Sequence, residues 1–194
     1  MFPSHDRGGA EAIQRNLQGN WNISQSKGDE MVSRDVLEKK MFDNAEQRTG
    51  RHRTSVDVAL RGNDNCVIVS WDGLHIEDIG VYPYFEDEEA IKAVVQRTMD
   101  QYGVRDDDMY YDAVGNGQVL LSFNRAFGVQ PKARPLNEDE SFATLKDQIM
   151  WQLGNLILNG KISIDEALSY KRVEYGSKGK VSIRDILIEE IKAL

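Results

Sequence analysis

The stretch from Arg53 to Val114 constrains the fold more than any other part of the chain, because its turn signals are closely spaced. Thr54-Ser55-Val56-Asp57-Val58-Ala59-Leu60 reads as a strand and Arg61-Gly62-Asn63-Asp64-Asn65 as a turn. Cys66 to Trp71 reads as a second strand, Asp72-Gly73 as a hairpin turn, and Leu74 to Val81 as a third strand. Runs this short, joined by loops this tight, can only pair as an antiparallel meander. Acidic residues at Glu86 to Glu89 then open a helix whose Ile91, Val94, Val95, Met99 and Tyr102 keep helical spacing, and Gly103 closes it. Met109 to Val114 is a further strand, and a helical crossover allows it to lie parallel to the first.

A three-strand antiparallel meander, a helix, and a strand returning beside the first is the order of a ribonuclease H-like mixed sheet, an α/β fold flanked by helices. Later elements fit that scheme. Gly115-Asn116-Gly117 turns the last strand into a helix through Phe123, and Phe142 to Leu158 is the longest amphipathic helix. Lys171 to Ile183 resembles a hairpin around Gly176-Ser177-Lys178-Gly179, followed by a helix from Ser182 to Leu194. Residues 1–50 are polar and punctuated by glycine, with short helices expected at Glu11–Leu17 and Ser33–Phe42, the second capped by Ser33. They are expected to form an arm or linker preceding a single domain at 51–194.

Composition excludes several function classes. The formal net charge is -8, so no global basic field draws in nucleic acid or an anionic membrane, and any nucleic-acid contact must be local. Cys66 is the only cysteine, which removes an intramolecular disulfide or a Cys-rich zinc site and fits a reducing cytosol. Three scattered histidines argue against a His-rich metal site. No apolar run approaches the ~18 residues of a spanning helix, and Met1 to Gly9 lack the apolar core of a signal peptide. These features lead us to expect a soluble protein of the cytoplasm.

Two carboxylates stand out. Asp57 interrupts an otherwise apolar strand, and Asp112 lies inside Tyr111-Asp112-Ala113 on the strand expected beside it. A carboxylate in a central strand costs several kcal/mol to desolvate unless something offsets the charge, and a divalent cation does so. Hard oxygen ligands suit magnesium or manganese, and a pair of such ions can activate water and stabilise the leaving oxygen in phosphodiester cleavage. The plainer reading pairs each Asp with a surface Lys or Arg. Gly115-Asn116-Gly117 leads into a helix whose free amides can face a phosphate, although glycine there also serves simple turn chemistry. No P-loop exists, since Gly160-Lys161 is followed by Ile162 and Gly179-Lys180 by Val181. Basic residues cluster at Arg48, Arg51, His52 and Arg53, and again at Lys171, Arg172, Lys178 and Lys180. The second cluster lies on the expected hairpin, where it can follow a phosphate backbone without reading bases, or form a solvated surface. Lys146 sits on the polar side of the long helix, while Trp21, Trp151 and Cys66 read as packing residues.

These pieces together resemble the C-terminal nuclease domain of the large terminase subunit of tailed bacteriophages and prophages. The matching segments are Leu17-Gln18-Gly19-Asn20-Trp21, Val56-Asp57-Val58-Ala59 with Gly62-Asn63-Asp64, Trp71-Asp72-Gly73, and Tyr111-Asp112-Ala113-Val114-Gly115-Asn116-Gly117. Thr144-Leu145-Lys146-Asp147-Gln148 followed by Trp151 looks like the family's Asn-Leu-Lys-x-Gln helix, and Gly179-Lys180-Val181-Ser182-Ile183 precedes a Lys-Asp-Glu-x-Lys-like stretch. The set covers most of the chain in order.

The resemblance implies a metal-dependent endonuclease that cuts concatemeric double-stranded DNA during viral packaging. Asp57 and Asp112 then take the metal-binding and catalytic positions of the first and fourth strands, with Mg2+ or Mn2+ as cofactor in a two-metal site. On the enzymatic reading Lys146, Lys171, Arg172, Lys178 and Lys180 are expected to position the DNA, although a lysine such as Lys146 more often serves only the surface. The resemblance also implies the terminase ATPase domain, the small terminase subunit and the portal as partners, in the cytoplasm of a bacterial host. Two departures shape the expectation. The packaging ATPase is absent from this sequence, and the family's third metal-binding acid falls just past Leu194, with Asp185, Glu189 and Glu190 poor substitutes on the preceding helix. An incomplete metal site is therefore expected. The alternatives are a non-catalytic, terminase-derived module that docks to DNA or packaging partners, and an actin-like phosphotransferase, whose usual two-domain architecture needs more chain.

Overall fold

A computed structural model of the protein describes residues 32–42, 48–59, 64–83, 85–136 and 142–192. The expected helix at Glu11–Leu17, the Leu17 to Trp21 motif and the Leu60 to Asn63 part of the first turn lie outside those residues.

The meander forms as its turn chemistry demands. Strand β1 (His52–Asp57) pairs antiparallel with β2 (Cys66–Asp72), and β2 with β3 (His75–Tyr82). Gly73, at φ 63°, makes the tight turn between β2 and β3. The Asp87 side chain then caps helix α2 (Glu88–Tyr102, numbering a short helix at Arg34–Leu37 as α1) by accepting the N–H of Ala90, and Gly103 ends it in the left-handed conformation. This crossover returns the chain as β4 (Met109–Asp112), parallel to β1 with Val56 opposite Tyr111. Two further short strands, β5 (Phe127–Val129) beside β4 and β6 (Ser163–Ile164) beside β3, complete a six-stranded mixed sheet in the order β5-β4-β1-β2-β3-β6. The ribonuclease H-like mixed α/β sheet flanked by helices is thus the observed architecture.

Both sheet faces are covered, which sets a three-layer arrangement. On one face, Val56, Cys66, Ile68 and Met109 pack with Ile91, Val95 and Met99 of α2. On the other, Ile76 and Ile79 pack with Ile157 of helix α3 (Leu145–Leu158), with Ile183 and Ile188 of helix α5 (Ile183–Lys192), and with Leu37, Met41 and Phe42. These last three come from the stretch expected as an arm. Ser33 caps α1 by accepting the N–H of Val36, and the helix widens into a π turn at Glu38–Phe42 that buries Met41 and Phe42. Residues 32–42 therefore contribute to the core.

Most of the remaining elements lie between α3 and α5 along the chain. Thr144 and Asp147 form a reciprocal capping box that starts α3 three residues later than its apolar pattern, because Phe142 packs back on Trp151 from outside the helix. After β6, the short helix α4 (Glu166–Tyr170) leads into the hairpin of β7 (Arg172–Glu174) and β8 (Lys180–Ser182). The expected helix after Gly115 is a 3-10 helix, Gly115–Ser122. Among the described residues, no helix is long and apolar enough to cross a membrane.

Candidate active site

Parallel pairing of β1 and β4 brings the two strand acids together. Since Val56 faces Tyr111, Asp57 and Asp112 are the next residues on neighbouring strands, both at the C-terminal end of the sheet. Backbones in such a pair run about 4.8 Å apart. Asp112 Oδ1 accepts the N–H of Val114 at 2.8 Å, so the turn after β4 fixes the carboxylate as the strand ends. Loss of hydration and the like charges of Asp112 and Asp64 raise the Asp57 pKa above the usual carboxylate range.

Asp57 opens onto a cleft of about 960 Å³ between the sheet and the elements around the β7–β8 hairpin. Its floor is Val67, Val69, Ile79 and Val81; Tyr175, Lys178, Leu187 and Glu190 line the opposite side, with Asp64 near the acidic end. Tyr175 donates its hydroxyl hydrogen to Glu190 Oε1 at 2.5 Å. That bond, with burial and the charges of Glu190, Glu189 and Asp64, pushes the Tyr175 pKa up to about 12. Tyr175 thus stays protonated and holds the Glu190 carboxylate on the cleft wall.

The expected DNA-contacting residues divide. Lys171, Arg172, Lys178 and Lys180 all belong to the hairpin region. Lys178 lines the cleft and is ion-paired with Glu189, while Lys171 contacts Asp78 at 3.1 Å and the Ile79 carbonyl at 3.2 Å. Arg172 donates to the Lys180 carbonyl at 2.5 Å, and the Lys180 side chain is exposed. Lys146 stands exposed at the start of α3 and is not a lining residue of the cleft. Cys66 is fully buried, and burial pushes its thiol up to about 11, in keeping with a packing role.

Of the cleft residues, Tyr175 has no place in the sequence reading, Asp64 enters it only within the Gly62-Asn63-Asp64 segment, and Glu190 only as a poor substitute for the third acid. Asp64 sits in a turn that glycine and asparagine already explain. Tyr175 flanks a glycine-rich hairpin tip. Glu190 occupies a polar position of an amphipathic helix. The usable signal was spacing, since Glu190 lies four residues beyond Ile186 and three beyond Leu187, both of which line the same cleft.

No protein-family model and no curated protein matches the sequence. Solved structures do match. A variant of gp2c of the large terminase subunit from bacteriophage Sf6, solved with calcium, superposes with a TM-score of 0.65 at 16% identity, covering 84% of this chain and 81% of that one. The nuclease domain of the large terminase subunit gp2 of bacterial virus Sf6 superposes with a TM-score of 0.64 at 15% identity, over 84% and 80%. A variant of that domain with manganese gives 0.62 at 14%, over 84% and 80%. The chain has the fold of a terminase nuclease domain. In this chain the strand ends carrying Asp57 and Asp112 lie together at one end of the sheet, and Asp57 shares its cleft with the β7–β8 hairpin.

Asp57→Asn provides a test of the electrostatics alone. A carboxyl whose pKa is higher in the folded than in the unfolded state costs stability when ionised, and regains it as protonation sets in with falling pH. At pH 7 the variant is therefore expected to melt at the wild-type temperature or up to about 3 °C higher. Wild type and variant should converge below the carboxylate range. A lower melting temperature for Asp57→Asn at pH 7, followed by circular dichroism, would assign Asp57 a stabilising ion pair instead.

Proposed function

We propose that this chain is the nuclease domain of a viral DNA-packaging terminase, a metal-dependent endonuclease acting on concatemeric double-stranded DNA. The observation that carries the reading is the placement of Asp57 and Asp112 side by side at the ends of parallel strands, within this fold. The donor set fits the cation. All the ligands on offer are carboxylate oxygens, the chemistry of magnesium or manganese, and Asp57 already feels the charge of two neighbours.

Asp57 and Asp112 would hold the metal. Asp64 and Glu190 are the further acids along the cleft, with Glu190 oriented by Tyr175. When bound, Mg2+ or Mn2+ in a two-metal arrangement supplies the positive charge that makes phosphodiester hydrolysis feasible at neutral pH. The chain's own groups do the positioning. Val114 keeps Asp112 aimed off the strand end. The hairpin presents Arg172, Lys178 and Lys180 on one projecting element, suited to a phosphate backbone rather than to base edges. Lys178 reaches DNA by exchanging Glu189 for a phosphate, while Lys146 and Lys171 contribute at the periphery. The corresponding partners are the terminase ATPase domain, the small terminase subunit and the portal, in the host cytoplasm.

The test is conversion of supercoiled plasmid to nicked and linear forms by the purified chain with Mn2+ or Mg2+. Conversion that requires the metal and stops with chelator is expected. A folded sample that leaves the plasmid supercoiled with either metal overturns the enzymatic reading in favour of a non-catalytic docking module.

A further inference from the structure

At the opposite end of the sheet, five residues along β1 from Asp57 and so roughly 16 Å away, three strands converge on a second group of metal-ligating side chains. His52 opens β1, Asp72 closes β2 directly opposite it, and Glu77 projects from β3. One ligand atom from each lies within 4.8 Å of the other two. A β-bulge brings Glu77 into the group. Trp71 pairs with Ile76 and Ser70 with Asp78, so Glu77 is the extra residue, re-aimed toward His52 and Asp72.

We propose that His52, Asp72 and Glu77 form a binding site for a transition-metal dication of the zinc class. The donor set is one imidazole nitrogen and two carboxylate oxygens, which zinc accepts at 2.0–2.2 Å in sites that leave a fourth position open. His52 Nδ1 already lies 2.9 Å from Glu77 Oε2. Each carboxylate also has an oxygen held by an orienting partner. Asp72 Oδ1 accepts the N–H groups of Thr49 at 2.8 Å and Gly50 at 2.6 Å, and Glu77 Oε1 accepts from Arg48 at 2.6 Å. Such outer contacts fix ligand geometry around metals.

Charge and unsatisfied polarity point the same way. Asp72, Glu77 and Asp165 gather around one guanidinium, Arg48, leaving an excess of two negative charges that a dication cancels. Arg51, the next cation along the chain, is taken by Asp108. One step further in along β1 and β2, on the face shared by His52 and Asp72, Thr54 and Ser70 stand opposite each other, 0% and 1% exposed, and neither hydroxyl has a hydrogen-bond partner. Buried hydroxyls in that state mark a place where water or an ion belongs. His52 is a third exposed, which gives a cation its way in. The bound metal would tie the segment 48–52 to three strands at once.

The experiment uses the full chain carrying Asp57→Asn and Asp112→Asn, so that a cation at the other sheet edge is not counted. Co2+ is titrated by visible absorption and Zn2+ by calorimetry. We expect one equivalent, d–d bands without thiolate charge transfer, and displacement of Co2+ by Zn2+. His52→Ala and Glu77→Gln should each weaken binding at least tenfold, with folding checked by circular dichroism. If His52→Ala fails to fold, Glu77→Gln and Asp72→Asn decide. Absence of saturable binding, or binding unchanged in the folded variants, overturns the proposal and leaves an ion-pair knot around Arg48. The outcome is independent of whether the chain cuts DNA.

Discussion

Asp112→Asn should abolish manganese-dependent plasmid nicking, lowering the initial rate at least about a hundredfold, because loss even of outer partners of metal ligands typically costs 10–100-fold. The substitution is well suited to separate chemistry from folding. Asparagine keeps the Oδ1 acceptor, so the bond from the Val114 N–H survives and the turn after β4 retains its shape. What is lost is one negative charge and the second carboxylate oxygen. Since Asp112 is one of the like charges acting on Asp57, its removal relieves repulsion. The melting temperature is therefore expected to stay within about 3 °C of wild type. Nicking rate and thermal melt measured on the same preparation distinguish the alternatives: a silent but stable variant supports metal ligation, whereas a large fall in stability assigns Asp112 to the scaffold.

That juxtaposition was legible in the sequence because every step toward it is local. Asp72-Gly73 sets one hairpin, the acidic opening and Gly103 bound the crossover helix, and a helical crossover makes the returning strand parallel. Once β4 lies beside β1, the acid of each strand follows. The parts that were not legible are non-local. Strands β5 and β6 have three and two residues, too few for a periodic signal, and exist because β4 and β3 offer them free edges. Leu37, Met41 and Phe42 read as weakly apolar within a polar stretch, yet the face of α1 closes the core against Ile76 and Ile157.

The two basic clusters show the same limit from the side of charge. Arg48, Arg51, His52 and Arg53 look in sequence like a patch for a polyanion. In the fold, Arg48, Arg51 and His52 are met by Glu77, Asp108 and Asp165, acids up to 117 positions away. The bulge that turns Glu77 toward His52 depends on the pairing of β2 with β3 and has no sequence signature. The hairpin cluster keeps Arg172 and Lys180 exposed on the hairpin that its glycines foretold. Acids meet both patches, since Lys171 pairs with Asp78 of β3 and Lys178 with Glu189, so charge in the sequence could not rank them.

Gly117→Ala is expected to destabilise the protein by about 3 kcal/mol and to extinguish nicking. The physical reason lies in how the chain leaves β4. The 3-10 helix Gly115–Ser122 folds back so tightly that a Cβ at position 117 would sit 1.5 Å from the Asp112 carbonyl oxygen and 2.7 Å from its carbonyl carbon. These are backbone atoms, so no rotamer change relieves the overlap; the strand end itself must move. Overpacking of this kind typically costs 1–3 kcal/mol and sometimes more, and about 3 kcal/mol lowers the melting temperature of a chain of this size by about 6–12 °C. The displaced residue is Asp112, and its carboxylate would leave the edge it shares with Asp57. Gly115→Ala serves as the contrast. Gly115 has φ 60° but nothing within 4 Å of a Cβ, so its cost is about 1–2 kcal/mol of left-handed strain with the strand end in place. Equal melting temperatures for the two variants, or an active Gly117→Ala protein, would show that the turn after β4 yields without moving Asp112. A cold-active, unstable Gly115→Ala beside an inactive Gly117→Ala would instead tie the Gly-Asn-Gly turn to the placement of the acid.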